Sequence, residues 1–278
     1  MTDSTEAAEL YERALDLARQ GRDEDARETF ERACDAGHPL AALELGDMRR
    51  RVQAHADALV WYRRAFDLGL AKAATRIGLT KEDEGDLDEA VAWYRTAADL
   101  DDPDGTYNLG ILLRRAGDHD EADEVFARAA DLGVPEAAYN LGQHHRRQGD
   151  LGKAEQSYRR AADMGLALGA FAVADLRYAE ENIAEAEEWW ARAADMGHRA
   201  AAFNIGVVRA ERGDVDGAVR WFQRAADEHD HVGALRRLAE IFEERGDLDK
   251  AEEYADKADY HDPNVPRAEI VAMSWRGD

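Results

Sequence analysis

YNLGQHHRRQGDLGKAEQSYRRA, residues 139–161, is the stretch whose reading decides the fold. Its first half ends in Gln148 and is followed by Gly149 and Asp150. Its second half carries Ala154, Tyr158 and Ala161 at spacings of four and three, which places them on one helical face. Glycine suits the left-handed residue that ends a helix, and aspartate caps the next one. Upstream, Pro135 suits a first helical turn, where its missing N–H costs nothing. The stretch therefore predicts a first helix, helix A, that carries Gly142 and runs to about Gln148, a tight turn, and a second helix, helix B, that runs to about Met164 and is stopped by Gly165. Small residues at 154 and 161 let two antiparallel helices approach closely, and Tyr158 fills the space toward the neighbouring helix.

The same pattern runs through the chain. Gly-Asp recurs at 85, 117, 149, 213 and 246, the first three 32 residues apart. Alanines fall at 26, 58, 90, 122, 154, 186, 218 and 251, and again seven residues later. Between them stand Phe30, Tyr62, Tyr94, Phe126, Tyr158, Trp190 and Phe222. A period of this length marks a stacked-repeat architecture, in which one hairpin cannot bury its apolar face alone and neighbours complete the core. The repeats read as 5–37, 38–69, 70–101, 102–133, 134–165, 166–197, 198–230 and 231–262. PRAEIVAMSW, 266–275, reads as a capping helix within the end segment 263–278. Asp86 with Glu89 and Asp118 with Glu121 have the capping-box pattern. Some copies depart from it: Gln53 and Glu181 replace the turn glycine, Ala174 and Ala239 the helix A glycine, and Ala255 the helix B aromatic. Altered packing is expected at those joints.

Leu-Gly in helix A, Gly-Asp in the turn, then Ala, Tyr and Ala in helix B resemble a tetratricopeptide repeat. The link AADLGVPEAAYNLG, 129–142, resembles a Sel-one-like repeat. The resemblance covers essentially the whole chain and implies an all-α, right-handed superhelix (solenoid) of eight helix-turn-helix repeats forming a single domain.

Composition limits the function. The formal net charge is −24, with 60 acidic residues against 36 Lys and Arg. A nucleic-acid binder needs a positive surface to displace counterions, so nucleic acid is a distant partner class. The N-terminus MTDSTEAAELYERAL has no basic region followed by an apolar one, and no apolar run approaches a membrane span, so a cytoplasmic protein without a membrane partner is expected. Cys34, the single cysteine, sits where alanine recurs and reads as a buried core thiol. None of the three serines lies in a nucleophile elbow, and there is no phosphate-binding glycine loop. His144 and His145 are helix neighbours about 100° apart and share no face. No enzyme activity, metal or cofactor is expected.

In the repeat family, helix A lines the concave groove. The resemblance places groove residues three and two before the helix A glycine, and one, four and five after it. Around Gly110 these are Tyr107, Asn108, Ile111, Arg114 and Arg115; around Gly142 they are Tyr139, Asn140, Gln143, Arg146 and Arg147. Asparagine can donate to and accept from an extended peptide backbone. Arginine forks match carboxylates. The set therefore points to a non-catalytic scaffold or adaptor whose groove binds an extended, acidic peptide segment or C-terminus. Against it stands a plain alternative: arginine in a last helical turn is stabilising without any ligand, and Arg50, Arg51, Arg114 and Arg115 could pair with Glu82 and Asp83 between repeats. Glu211, Glu240, Glu243 and Glu244 make the C-terminal groove acidic. A second reading is a regulatory module that sequesters an enzyme or transcription factor through its acidic convex surface or solenoid ends. Oligomeric state is left open.

Overall fold

A computed structural model describes residues 2–261 and shows, over that range, sixteen α-helices and no strand. The capping helix expected over 266–275 lies outside the described residues. The chain divides into two compact units, Met1–Ala138 and Tyr139–Asp278.

In the first unit the helices are α1 (Thr2–Arg19), α2 (Asp23–Asp35), α3 (Pro39–Arg51), α4 (His55–Asp67), α5 (Lys72–Glu84), α6 (Leu87–Asp99), α7 (Pro103–Ala116) and α8 (His119–Asp131). The boundary between the units falls within α9 (Pro135–Arg147). The second unit continues with α10 (Leu151–Asp163), α11 (Ala167–Ala179), α12 (Ile183–Asp195) and α13 (Ala201–Glu211). It ends with α14 (Val215–His229), α15 (Val232–Glu244) and α16 (Leu248–His261). Helices pair as hairpins, α1 with α2, α3 with α4 and α5 with α6, then α11 with α12 and so on. Within each unit a second helix also packs on the first helix of the next hairpin, as α4 does on α5 and α10 on α11. Because no hairpin is shielded by itself, each apolar core runs through several of them. One core joins Ala41, Leu45, Tyr62 and Ile77; another joins Trp190, Ile205, Phe222 and Leu238.

The recurrent residues meet inside each hairpin. A Cβ placed on Gly46 would lie 2.3 Å from the Tyr62 ring; on Gly78, 2.5 Å from Tyr94; on Gly110, 2.9 Å from Phe126; and on Gly142 or Gly206, 2.5 Å from Tyr158 or Phe222. The aromatic of helix B thus lies flush on the glycine of helix A in its own hairpin, and the flanking alanines, wholly buried at 154 and 161, let the backbones close.

The turns explain why the departures at 53 and 181 are tolerated. Gly85 has φ +82°, its N–H bonds the Glu82 carbonyl, and the Asp86 N–H bonds that of Lys81. Gln53 (φ +58°) and Glu181 (φ +59°) take the same left-handed conformation and make the same pair of bonds. A side chain there costs about 1–2 kcal/mol in backbone sterics, and the surrounding hairpin holds it. The backbone of those two turns is therefore not altered. Caps vary more. Asp86 accepts from the Glu89 N–H at 3.2 Å, but Asp118 makes no cap bond, and the carboxylates of Glu89 and Glu121 turn instead to Lys81 and Arg95. The reciprocal capping boxes do not form, because an ion pair to a neighbouring helix competes for the glutamate.

Links between hairpins use the helix A residue three before the glycine position. His38 stacks on Tyr11 at 4.3 Å, His198 on Phe171 at 4.0 Å and His231 on Phe203 at 4.5 Å. In the third repeat the equivalent pair is polar: Thr75 Oγ1 donates to Asp102 Oδ1 at 2.6 Å. No described helix is long and apolar enough to cross a membrane. Cys34 is buried, and burial pushes its thiol up.

The glycine–aromatic contact makes a stability prediction. Gly206→Ala should destabilise by about 1–3 kcal/mol through overpacking, despite the better helix propensity of alanine. Combined with Phe222→Leu, the loss should be less than the sum of the two singles; chemical denaturation of the four-member cycle measures the coupling.

Candidate functional site

Helix A presents its first unit's charges as an alternating ladder. Arg50 on α3 donates to Asp83 Oδ2 through Nη2 at 2.6 Å and Nε at 2.9 Å. Arg115 on α7 reaches Glu82 Oε1 at 3.2 Å. The cross-repeat pairing weighed against a ligand role is thus formed for these two arginines, although each exposed pair contributes only about 0–1 kcal/mol. Arg114 lies with its guanidinium carbon 4.3 Å from the Phe126 ring centroid and its Nη2 4.0 Å from Asp123 Oδ1. Tyr107 is half-buried, its ring 5.8 Å from that of Phe126; Asn108 is half-buried beside it on α7. A polar cleft of about 740 Å³ opens further along the unit, lined by Asp47, Arg50, Arg51, His55, Arg76 and Asp83.

In the second unit the corresponding arginines are differently placed. Arg146 and Arg147 are both exposed, and among the described residues neither has a carboxylate within ion-pair distance. Arg147 Nε donates to the Gln143 carbonyl of its own helix at 3.3 Å. Tyr139 is half-buried, 5.5 Å from the Tyr158 ring, and its Oη accepts from Gln143 Nε2 at 2.6 Å; Asn140 is half-buried. His144 is buried with Nε2 2.8 Å from Gln148 Nε2, an ordinary helix contact. Among the described residues no group of three or more His, Cys, Asp or Glu could hold a metal.

The floor beneath this ridge is made by polar tips of the helix B aromatics. Tyr62, fully buried, donates its O–H to Asp47 at 2.6 Å, and Tyr94 donates to Glu82 at 3.1 Å. Trp190 Nε1 donates to Asp175 at 3.1 Å. Burial and the adjoining carboxylate hold both tyrosines well above the ordinary phenol range. Tyr158 is equally buried, but its hydroxyl has no partner of hydrogen-bonding geometry. Burial pushes it up to about 12, while the positive charge of adjacent Arg146 opposes that rise. Asp175 is pushed up to about 6 by burial, against the opposing effects of the Trp190 N–H and Arg146.

The sequence reading misses these floor residues and treats Tyr158 as packing alone. A signal was present. The residue one after the helix A glycine position is apolar where helix B carries phenylalanine: Leu15 with Phe30, Ile111 with Phe126, Val207 with Phe222. It is aspartate where helix B carries Tyr62 or Trp190. Toward the C-terminus, a cleft of about 310 Å³ is lined by Glu211, Glu240 and Glu244 with Val207, Phe222 and Ile241, and by Arg237, which pairs with Glu240 at 3.0 Å.

Asp175 sets a pH dependence. Its folded pKa lies above the unfolded value near 3.8, so its penalty is absent below pH 4 and grows as pH rises through 6. Asp175→Asn, which keeps an acceptor for Trp190, should match wild type at pH 4 and exceed it by about 1–3 kcal/mol at pH 7.5. Urea denaturation of both proteins at the two pH values measures the difference.

Comparison with known proteins places the chain among repeat proteins. A tetratricopeptide repeat family model matches residues 11–69, 107–167, 171–231 and 229–266; a second one matches 71–104, and a Sel1 repeat model matches 2–18. No curated protein matches the sequence. Among solved structures, a protective antigen of uropathogenic Escherichia coli strains displaying an SLR fold is similar, with TM-score 0.68 and 23% identity, over 94% of this chain and 63% of that one. This chain therefore spans less than two thirds of that antigen's length. A Sel1 repeat protein from Oxalobacter formigenes aligns with TM-score 0.56 and 24% identity, over 79% of this chain and 100% of that one. The C-terminal part of a TPR repeat-containing protein from Cytophaga hutchinsonii gives TM-score 0.51 and 15% identity, over 92% and 97%. At these identities the likeness is one of fold: an all-α array of helical hairpins.

Proposed function

The chain belongs to the tetratricopeptide repeat family, whose members are protein–protein interaction scaffolds, and from that premise we propose that its helix A ridges bind an extended, acidic peptide segment or C-terminus of a partner protein. The contact residues in this reading are Tyr139, Asn140, Arg146 and Arg147 on α9 in the second unit, and Tyr107, Asn108, Arg114 and Arg115 on α7 form the corresponding set of the first unit. The observation that carries it is the pair Arg146 and Arg147, exposed and without a carboxylate within ion-pair distance among the described residues, in a chain of net charge −24. With so many carboxylates available, two adjacent arginines left without one favour an acidic group from outside. Arg115, paired with Glu82, contributes less, because a ligand there must displace an existing partner. The role is non-catalytic: binding by a ridge of guanidinium and amide groups requires no bond to be made or broken.

Fluorescein-labelled hexaglutamate, followed by anisotropy, tests this reading. Wild type should bind it more tightly than labelled hexaglutamine. Arg146→Ala/Arg147→Ala should weaken binding by about tenfold or more, given about 1.5–3 kcal/mol for hydrogen bonds to charged groups, whereas Arg115→Ala should change it by less than threefold. Equal affinity in wild type and the double variant would assign those arginines to helix-end stabilisation alone.

A further inference from the structure

The protein twice builds the same three-group arrangement, a carboxylate held between a buried phenol and an arginine. Asp47 accepts from Tyr62 at 2.6 Å and lies 3.1 Å from Arg76 Nε. Glu82 accepts from Tyr94 through one oxygen at 3.1 Å and from Arg115 through the other at 3.2 Å. In the fifth repeat the phenol and the arginine are present and the carboxylate is not. Tyr158 occupies the position of Tyr62 and Tyr94, is 0% exposed, and its hydroxyl proton has no acceptor of hydrogen-bonding geometry. Arg146 lies against it. The positions that supply Asp47 and Glu82 in the other repeats, one and four after the helix A glycine, carry Gln143 and Arg146 here. Gln143 directs its amide N–H to Tyr139, and Asp175, the other nearby acid, accepts from Trp190.

A guanidinium only donates, so Arg146 cannot satisfy the phenolic proton. A buried donor without an acceptor costs free energy that phenylalanine, used at this position in three other repeats, would avoid. We infer that Tyr158 and Arg146 form an anchor subsite for a carboxylate of the bound partner, which completes the arrangement that Asp47 and Glu82 complete internally. The inference rests on the acidic-segment reading above and specifies where one acidic group of that segment sits. Arg146 is exposed and on a flexible stem. It can swing onto one carboxylate oxygen while the phenol donates to the other, as Arg115 and Tyr94 do with Glu82. Tyr158 then acts as a specificity residue: it rewards an acceptor and offers nothing to an ammonium.

Tyr158→Phe separates this from a packing role. The free variant should be as stable as wild type or melt at a higher temperature, because an unsatisfied hydroxyl is removed. Tyr62→Phe and Tyr94→Phe, which break formed bonds, should melt about 2–4 °C lower for each kcal/mol lost. Hexaglutamate binding should weaken about tenfold or more in Tyr158→Phe, as expected for loss of one hydrogen bond to a charged acceptor, with hexaglutamine unaffected. If Arg146→Ala/Arg147→Ala weakens binding but Tyr158→Phe does not, the anchor is overturned and the acidic-segment reading stands. If wild type does not prefer hexaglutamate to hexaglutamine, both fall. A Tyr158→Phe protein that melts as low as Tyr62→Phe would show the hydroxyl satisfied within the chain and overturn the anchor by itself.

Discussion

The contact of a helix B ring on a helix A glycine is the constraint on which the rest depends. A Cβ at Gly46, Gly78, Gly142 or Gly206 would fall within 2.3–2.5 Å of a ring atom, well inside van der Waals contact. At those four positions the ring keeps its place only if the glycine remains, whereas in the first and sixth repeats Ala14 and Ala174 stand there and Phe30 and Trp190 are still buried. With the ring in place, two helices joined by a two-residue turn close into a hairpin whose remaining apolar surface must be covered by the next one. The repeat length, the left-handed turn and the stacked ion pairs all follow from repeating that contact.

The contact also delivers the polar tip of each ring to the ridge of helix A. A phenylalanine ends in carbon, and the repeats that carry one have Leu15, Ile111 or Val207 one residue after the glycine position. A tyrosine or tryptophan ends in a donor and needs an acceptor, which Asp47, Glu82 and Asp175 provide. Packing and surface chemistry are thus joined at one position: the choice between Phe and Tyr in the core sets whether the ridge above it needs an acceptor.

Electrostatics then distinguishes otherwise similar arginines. Arg50, Arg76 and Arg115 sit beside carboxylates of neighbouring hairpins. Their charge is largely neutralised within the chain, and little of it acts at a distance in salt. Arg146 and Arg147 retain theirs. Toward the last hairpins the ridge carries Glu211, Glu240 and Glu244, with Arg237 among them.

The sequence alone determined the repeat, because glycine, alanine and aromatic positions respond to local sterics and recur at 32 residues with little tolerance. The turns, the hairpins and the candidate arginines of α7 and α9 were legible for that reason. Partnership was not. Arg114 and Arg115 are written identically to Arg146 and Arg147, and nothing local tells that Arg115 meets Glu82, 33 residues away, while Arg147 bonds its own helix. Asp118 and Asp86 share a capping pattern, yet an ion pair from Arg95 draws Glu121 elsewhere. The hydroxyl of Tyr158 looks like those of Tyr62 and Tyr94 until the side chains across the hairpin are placed. Such outcomes depend on which groups tertiary packing brings within about 3 Å, and a hydrogen bond is decided at that range and at no other.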